Sequence, residues 1–208
     1  MMISIIDCGM GNLGSVVNML KFLGKECQII KTPEEVMESK KIIFPGVGSW
    51  DNGIKKIQES RMLDALTLQV LHNKIPFLGI CLGMQLLFDS SEEGSLPGLG
   101  WVSGEVKKFK FEKPVLNEKK INIPHMGWNT VKSIHLTTLN DNLESKARFY
   151  FVHSYYVNCF DKKNILMTCN YGEEFVCAVN KDNIWGVQFH PEKSHKYGMQ
   201  LMKNFTEL

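Results

Sequence analysis

Residues 75–88 constrain the fold more than any other stretch of this chain. An apolar run, Ile75-Pro76-Phe77-Leu78, leads into Gly79-Ile80-Cys81-Leu82-Gly83, and a helical run, Met84-Gln85-Leu86-Leu87-Phe88, follows at once. A cysteine with glycine at minus two and plus two, between a strand and a helix, has the form of a nucleophile elbow with sulfur in place of oxygen. The glycines let the backbone turn sharply enough to lift one side chain above a sheet. The positive end of the following helix then favours a thiolate. Most cysteines are small buried hydrophobes, so a catalytic reading also requires a partner base.

That partner lies more than a hundred residues downstream. Gly186-Val187-Gln188-Phe189-His190-Pro191-Glu192 reads as a strand ending in a histidine, with a carboxylate two positions on. A cysteine nucleophile needs a base to take its proton and hand it to a leaving group, and the base needs a third group to fix its ring and tautomer. Cys81, His190 and Glu192 supply these types, and Pro191 limits slack between the last two.

The segments around these residues set the fold class. Strands are expected over residues 2–7, 27–31, 41–44 and 76–80. Helices are expected from Asn12 to about Leu23, with Gly24 ending the first, and over 51–60 and 62–73. Strands separated by helices imply a parallel sheet covered on both faces, with functional loops at the carboxyl ends of the strands. Beyond Gly94–Gly100 the pattern changes. Short β-branched and aromatic segments at 101–111, 127–132, 148–158, 165–170, 174–180 and 184–189 read as antiparallel additions, before a last helix over 195–206. The expectation is α/β: a mostly parallel central sheet with helices on both faces and antiparallel additions in the second half, in a single domain over residues 1–208.

Composition excludes several functions. The net charge of +2 and scattered lysines give no electrostatic case for nucleic acid. The cluster Lys107-Lys108-Phe109-Lys110 reads as a solvated strand edge. No apolar run reaches the length of a membrane span, and the opening residues read as a first strand, not a signal peptide. Six cysteines show no Cys-x-x-Cys pair and no metal-ligand spacing, which fits free thiols in a reducing cytoplasm and implies no metal or other cofactor. Gly9-Met10-Gly11-Asn12-Leu13-Gly14 matches a dinucleotide-binding pattern. However, Asp7 and Cys8 separate it from the strand, and Lys31-Thr32 stands where an acidic ribose ligand belongs, so a tight turn near the active-site mouth is the better reading.

With the elbow, the Pro45-Gly46-Val47-Gly48 loop and the His-Pro-Glu ending together, the chain resembles the class I (triad) glutamine amidotransferases. The resemblance runs essentially end to end. Longer stretches make it similar to the branch of glutaminase subunits that serve imidazole glycerol phosphate synthase: Asp7 through Ser15, Gly79 through Leu87, Pro124-His125-Met126-Gly127-Trp128-Asn129, Tyr150 through Tyr155, and Phe189 through Ser194. Cys8 stands where that branch usually carries tyrosine, a position outside the triad.

The resemblance implies that L-glutamine is hydrolysed through a γ-glutamyl thioester on Cys81, with His190 and Glu192 completing the triad. The oxyanion donors it implies are the backbone N–H of Leu82, as elbow geometry also suggests, and one at Val47 in the glycine loop, after a peptide flip. Implied substrate contacts are Gly48, Gln85, Glu93, Ser154 and Tyr155. Glu93 suits the substrate's ammonium, although Gln85 and Glu93 also read as an ordinary helix residue and a solvated loop acid. The implied partner is a (β/α)8-barrel synthase (cyclase) subunit in a 1:1 heterodimer. Its interface would draw on Asn12, Pro124, Met126, Trp128, Asn129 and Tyr150, with core packing an equal reading of Trp128. His125 and His153 read as positioning or interface residues. Two alternatives stay open: a paralogous subunit supplying ammonia for amidation of a surface sugar, and a catalytically silent binding subunit.

Overall fold

The protein was analysed as a computed structural model, which describes residues 2–111, 115–116 and 119–208. The first half alternates as expected. Strand β1 (Ile3–Ile6) leads to helix α1 (Leu13–Phe22), whose cap Asn12 accepts a hydrogen bond from the Ser15 N–H. Strand β2 (Cys27–Ile30) follows, then helix α2 (Pro33–Glu38), which the alternation alone did not declare. A reciprocal capping box between Thr32 and Glu35, with proline in the first turn, makes this short helix possible. Strand β3 (Ile42–Gly46), helix α3 (Trp50–Glu59) and helix α4 (Leu63–Thr67) come next. The helix expected over 62–73 widens into a π-turn at Leu68–His72, where Asn73 N–H reaches back to the Leu68 carbonyl. Strand β4 (Phe77–Cys81) then runs into helix α5 (Leu82–Gln85).

The second half supplies β5 (Ser90–Ser91), β6 (Gly104–Lys108), β7 (Val115–Leu116), β8 (Lys119–Lys120), β9 (His125–Ser133), β10 (Arg148–His153), β11 (Tyr155–Cys159), β12 (Ile165–Tyr171), β13 (Glu173–Lys181) and β14 (Ile184–Val187), before helix α6 (His195–Thr206). Strands β7 and β8 pair with each other, and the rest form one sheet in the order β10-β9-β12-β13-β14-β4-β3-β1-β2, with β11, β6 and β5 branching from β13.

Two expectations are corrected. The segment 148–158 is two strands, β10 beside β9 and β11 between β13 and β6, broken at Ser154. The segment 184–189 is shorter than expected, and it is not simply an antiparallel addition. β14 lies antiparallel to β13 but parallel to β4, with Val187 opposite Ile80. It is therefore the seam between the two halves of the sheet, and it carries the following residues to the level of Cys81.

The core has two layers, one per face. Phe44, Trp50, Ile54, Leu66 and Phe77 pack under α2–α5, while Ile5, Leu20, Leu78, Phe149, Leu201 and Phe205 pack under α1 and α6. Each such side chain contributes about 1.5–3 kcal/mol by leaving water. The central strands β1 and β4 are buried throughout and almost wholly apolar because both of their faces are covered. One buried cation ties this core together. Lys41 Nζ donates to the carbonyls of Phe205, Thr206 and Leu208 at 2.9, 2.8 and 2.9 Å, satisfying the end of α6 from the start of β3. Among the described residues, no helix is long and apolar enough to cross a membrane.

Candidate active site

Three parallel strands end side by side. Gly46 of β3 is opposite Cys81 of β4, and the Val187–Ile80 pairing puts Gln188 on the other side of Cys81. The sulfur thus stands at the carboxyl edge of a parallel sheet, where α/β folds place their ligand sites.

The elbow is built differently from the sequence argument. The residue in the left-handed region is Cys81 itself, with φ 56° and ψ −112°. The glycines supply room. A Cβ on Gly83 would overlap the Phe44 carbonyl oxygen, one on Gly79 would stand 2.6 Å from the Gly83 oxygen, and one on Gly46 would stand 2.7 Å from the Gly83 nitrogen. Backbone therefore lies directly against backbone beneath the sulfur. The helix after the elbow is also shorter than expected, with one turn at Leu82–Gln85. The carbonyls of Leu86, Leu87 and Phe88 are taken by N–H groups of Leu99, Trp101 and Gly100, so the helix stops. A single turn carries no long dipole and presents only its first-turn N–H groups toward Cys81.

His190 Nδ1 donates to Glu192 Oε1 at 2.7 Å, and both side chains are buried. His190 Nε2 is buried without a hydrogen-bond partner among the described residues and lines the same cavity as Cys81. Burial opposes the charged ring, but Cys81 and Glu192 more than offset it and push the His190 pKa up to about 10. The Glu192 carboxylate, 2.7 Å from the ring nitrogen, favours the charged imidazole.

The backbone at His190 is clamped too. His190 N–H donates to the Tyr150 carbonyl (2.9 Å), Tyr150 N–H donates to Ser194 Oγ (3.0 Å), and that hydroxyl donates to the His190 carbonyl (2.6 Å). Sequence reasoning did not single out Ser194 or Gln188. Gln188 Nε2 donates to Cys81 Sγ at 3.7 Å, and its Oε1 accepts from Gln85 Nε2 at 2.9 Å. A lone amide in the apolar run 184–189 was the available signal, because a buried amide requires a partner.

A cavity of about 350 Å3 opens over the sulfur. Its walls include Val47, Gly48, Cys81, Leu82, Gln85, Glu93, Pro124, Ser154, Tyr155 and His190, so every residue suggested for the oxyanion or the substrate reaches it. Glu192 stands behind His190 and is not part of the wall. Glu93 Oε2 accepts the Trp50 N–H at 2.9 Å, capping α3 where Ser49 makes no side-chain cap. Asp51 holds the following loop by accepting from Ser95 and Leu96 N–H. A larger cavity, about 520 Å3, lies over the paired strands β9 and β12 against residues 136–147 and holds none of Cys81, His190 and Glu192.

His125 and His153 form a buried pair, with His153 lining the cavity. The Tyr155 carbonyl only accepts, so His153 Nδ1 carries the hydrogen toward it (2.7 Å), and His153 Nε2 accepts from His125 Nδ1 (3.0 Å). Burial pushes His125 down to about 4 and His153 down to about 3, so both rings are neutral.

The residues suggested for a partner divide. Met126 and Trp128 lie on the outer face of β9, 62% and 42% exposed, opposite Val152 and Tyr150 of β10. Trp128 also stacks on His195 at 5.2 Å, so core packing is excluded for its indole. Asn129 points the other way, donating to the Asn170 carbonyl and approaching His125. Asn12 is exposed at the start of α1.

A family model described as glutamine amidotransferase class-I matches residues 4–208. The chain belongs to that family. It is 55% identical to imidazole glycerol phosphate synthase subunit HisH 2 of Methanococcus maripaludis, over 99% of both chains. It is 51% identical to subunit HisH of Leptospira borgpetersenii and 43% identical to subunit HisH 1 of M. maripaludis, over 100% of both chains in each case. Among solved structures, PurLQS of Thermotoga maritima aligns with a TM-score of 0.73 at 13% identity, over 99% of this chain and 97% of that one; it supports the fold alone.

Proposed function

We propose that this chain is the glutaminase subunit of an imidazole glycerol phosphate synthase, folded as one glutamine amidotransferase domain and working in the cytoplasm. The observation that carries the reading is the convergence of Cys81 and the Glu192-braced His190 on one cavity. In this reading the Cys81 thiolate attacks the side-chain amide carbon of L-glutamine. The N–H of Leu82 and, after the Gly46–Val47 peptide turns, that of Val47 receive the oxyanion; each such donor contributes about 3–4 kcal/mol to lowering the barrier. His190 gives its proton to the departing ammonia. It then takes one from water, which hydrolyses the thioester to L-glutamate. Gly48, Gln85, Glu93, Ser154 and Tyr155 hold the substrate's charged end.

Ammonia released to water is soon protonated and loses its nucleophilicity, so the product needs a receiver. The exposed Met126 and Trp128, with half-buried Tyr150 beside them and Pro124 flanking, make an apolar and aromatic face, the composition of an interface anchor. We assign it to a (β/α)8-barrel cyclase subunit in a 1:1 complex, which would make imidazole glycerol phosphate and an aminoimidazole carboxamide ribotide in L-histidine biosynthesis. A second reading is favoured by the numbered relatives in M. maripaludis, where two such subunits carry one name. One of two copies could serve another ammonia-consuming enzyme, such as one that amidates a surface sugar.

The decisive variant is Cys81→Ala in the complex with the cyclase. Glutamine-dependent synthesis should vanish while ammonia-dependent synthesis persists. Loss of both in a folded complex would refute a separate ammonia-supplying role, and failure to bind the cyclase would favour the second reading.

A further inference from the structure

The hydrogen bonds around Cys81 have only one consistent polarity, and a backbone carbonyl sets it. The Tyr155 oxygen can only accept. Gln85 therefore turns its amide nitrogen toward it, at 3.1 Å, and the same nitrogen donates to Gln188 Oε1 at 2.9 Å. With its oxygen so engaged, Gln188 has only its N–H groups left for the sulfur, which lies 3.7 Å away. Neither side chain has freedom to flip. Gln188 is 0% exposed and Gln85 is buried; reversing Gln85 would set oxygen against oxygen, and reversing Gln188 would set its nitrogen against the Gln85 nitrogen.

We propose that Gln188 is a positioning residue of the reaction, its side-chain N–H holding the Cys81 sulfur as a thiolate and aiming it into the cavity. This rests on the reading of Cys81 as the nucleophile. A neutral thiol is a poor acceptor and gains little from an amide donor, whereas a thiolate gains much more, so a fixed donor favours the charged form. The arrangement also divides the work at the sulfur. His190 must surrender a proton during turnover and so cannot hold the sulfur throughout, whereas an amide neither gains nor loses protons and can stay in place from attack to thioester hydrolysis. Gln85 has a matching double role. Its nitrogen orients Gln188, while its side chain also lines the cavity, so substrate contact and sulfur alignment share one residue.

The test follows alkylation of Cys81 by iodoacetamide in the full chain across about pH 5 to 10, where the midpoint reads thiol ionisation. Gln188→Met keeps the length and removes the donor. Gln85→Met keeps the donor and removes what orients it. Gln188→Met should raise the midpoint by about one pH unit, and Gln85→Met should raise it by less. Glutaminase kcat of Gln188→Met should fall roughly tenfold with little change in KM, as when an interaction with the nucleophile alone is lost. Midpoints equal to the parent's in both folded variants would overturn the proposal, because a packing role would leave ionisation unmoved. Should Gln188→Met fail to fold, Gln85→Met decides by the same two outcomes. A parent whose Cys81 reacts with a glutamine-analogue electrophile no faster than Cys27 or Cys159 would sink the nucleophile reading itself. A reactive parent with unshifted variants would sink only the role of Gln188.

Discussion

Gly83 has no side chain because the space above its Cα belongs to the Phe44 carbonyl. Gly83→Ala must push β3 and α5 apart, and the obstructing atom is backbone, which cannot rotate aside. The expected loss is about 3 kcal/mol, measured by urea unfolding, with glutamine hydrolysis lost as the Leu82 N–H shifts. Unchanged stability would mean the elbow is looser than its contacts imply. The three residues proposed for catalysis stand out at this scale because chemistry restricts their types. A sulfur nucleophile, an imidazole and a carboxylate leave a signature in one dimension. Gln188 and Ser194 do not, since an amide or a hydroxyl serves many purposes, and only the β4–β14 register and the approach of Tyr150 reveal what theirs are. The role of glycine was half legible: its presence marked the bend, but the reason is close approach between strands that are distant in sequence.

At the level of elements, the link that matters is the one between β10 and the segment after β14. Ser194 joins the Tyr150 N–H to the His190 carbonyl, so the strand paired with the exposed Met126 and Trp128 also holds the proposed base in place. Ser194→Ala should leave the Tyr150 N–H unpaired, while the His190 carbonyl keeps the Lys193 N–H, and reduce stability by about 2 kcal/mol. It should also lower glutaminase kcat roughly tenfold with KM little changed, since the base is displaced and the substrate pocket is not. Steady-state kinetics of the folded variant check this, and an unaltered kcat would show that Glu192 alone positions the ring. Periodicity located most strands and helices within a few residues. It missed α2, which is held by a capping box, and it could not show that 148–158 changes neighbours at Ser154, because pairing partners are set by the whole sheet and not by local sequence.

Across the whole molecule, three buried histidines divide the pH axis. His125 and His153 fold with pKa values near 4 and 3, far below the unfolded value of about 6.5. Their contribution is complete above about pH 6.5 and is lost as pH falls toward those values, with a slope approaching about 2.7 kcal/mol per pH unit when both take up a proton on unfolding. His190 runs the other way. Its pKa is raised to about 10, so its contribution is complete below about pH 6.5 and declines as pH climbs to 10. Urea midpoints should therefore fall on both sides of neutrality, and a flat profile between about pH 6.5 and 4.5 would contradict the neutral buried pair.

The left-handed torsion at Cys81 has a consequence for descent. Every folded copy carries that conformational burden whether or not glutamine ever arrives, and a residue without a β-carbon would be relieved of it. Natural selection for chemistry and selection for mere persistence thus pull in opposite directions at a single codon. In a duplicated gene retained only as a docking platform, the sulfur should be among the first atoms to disappear, while the surrounding scaffold endures.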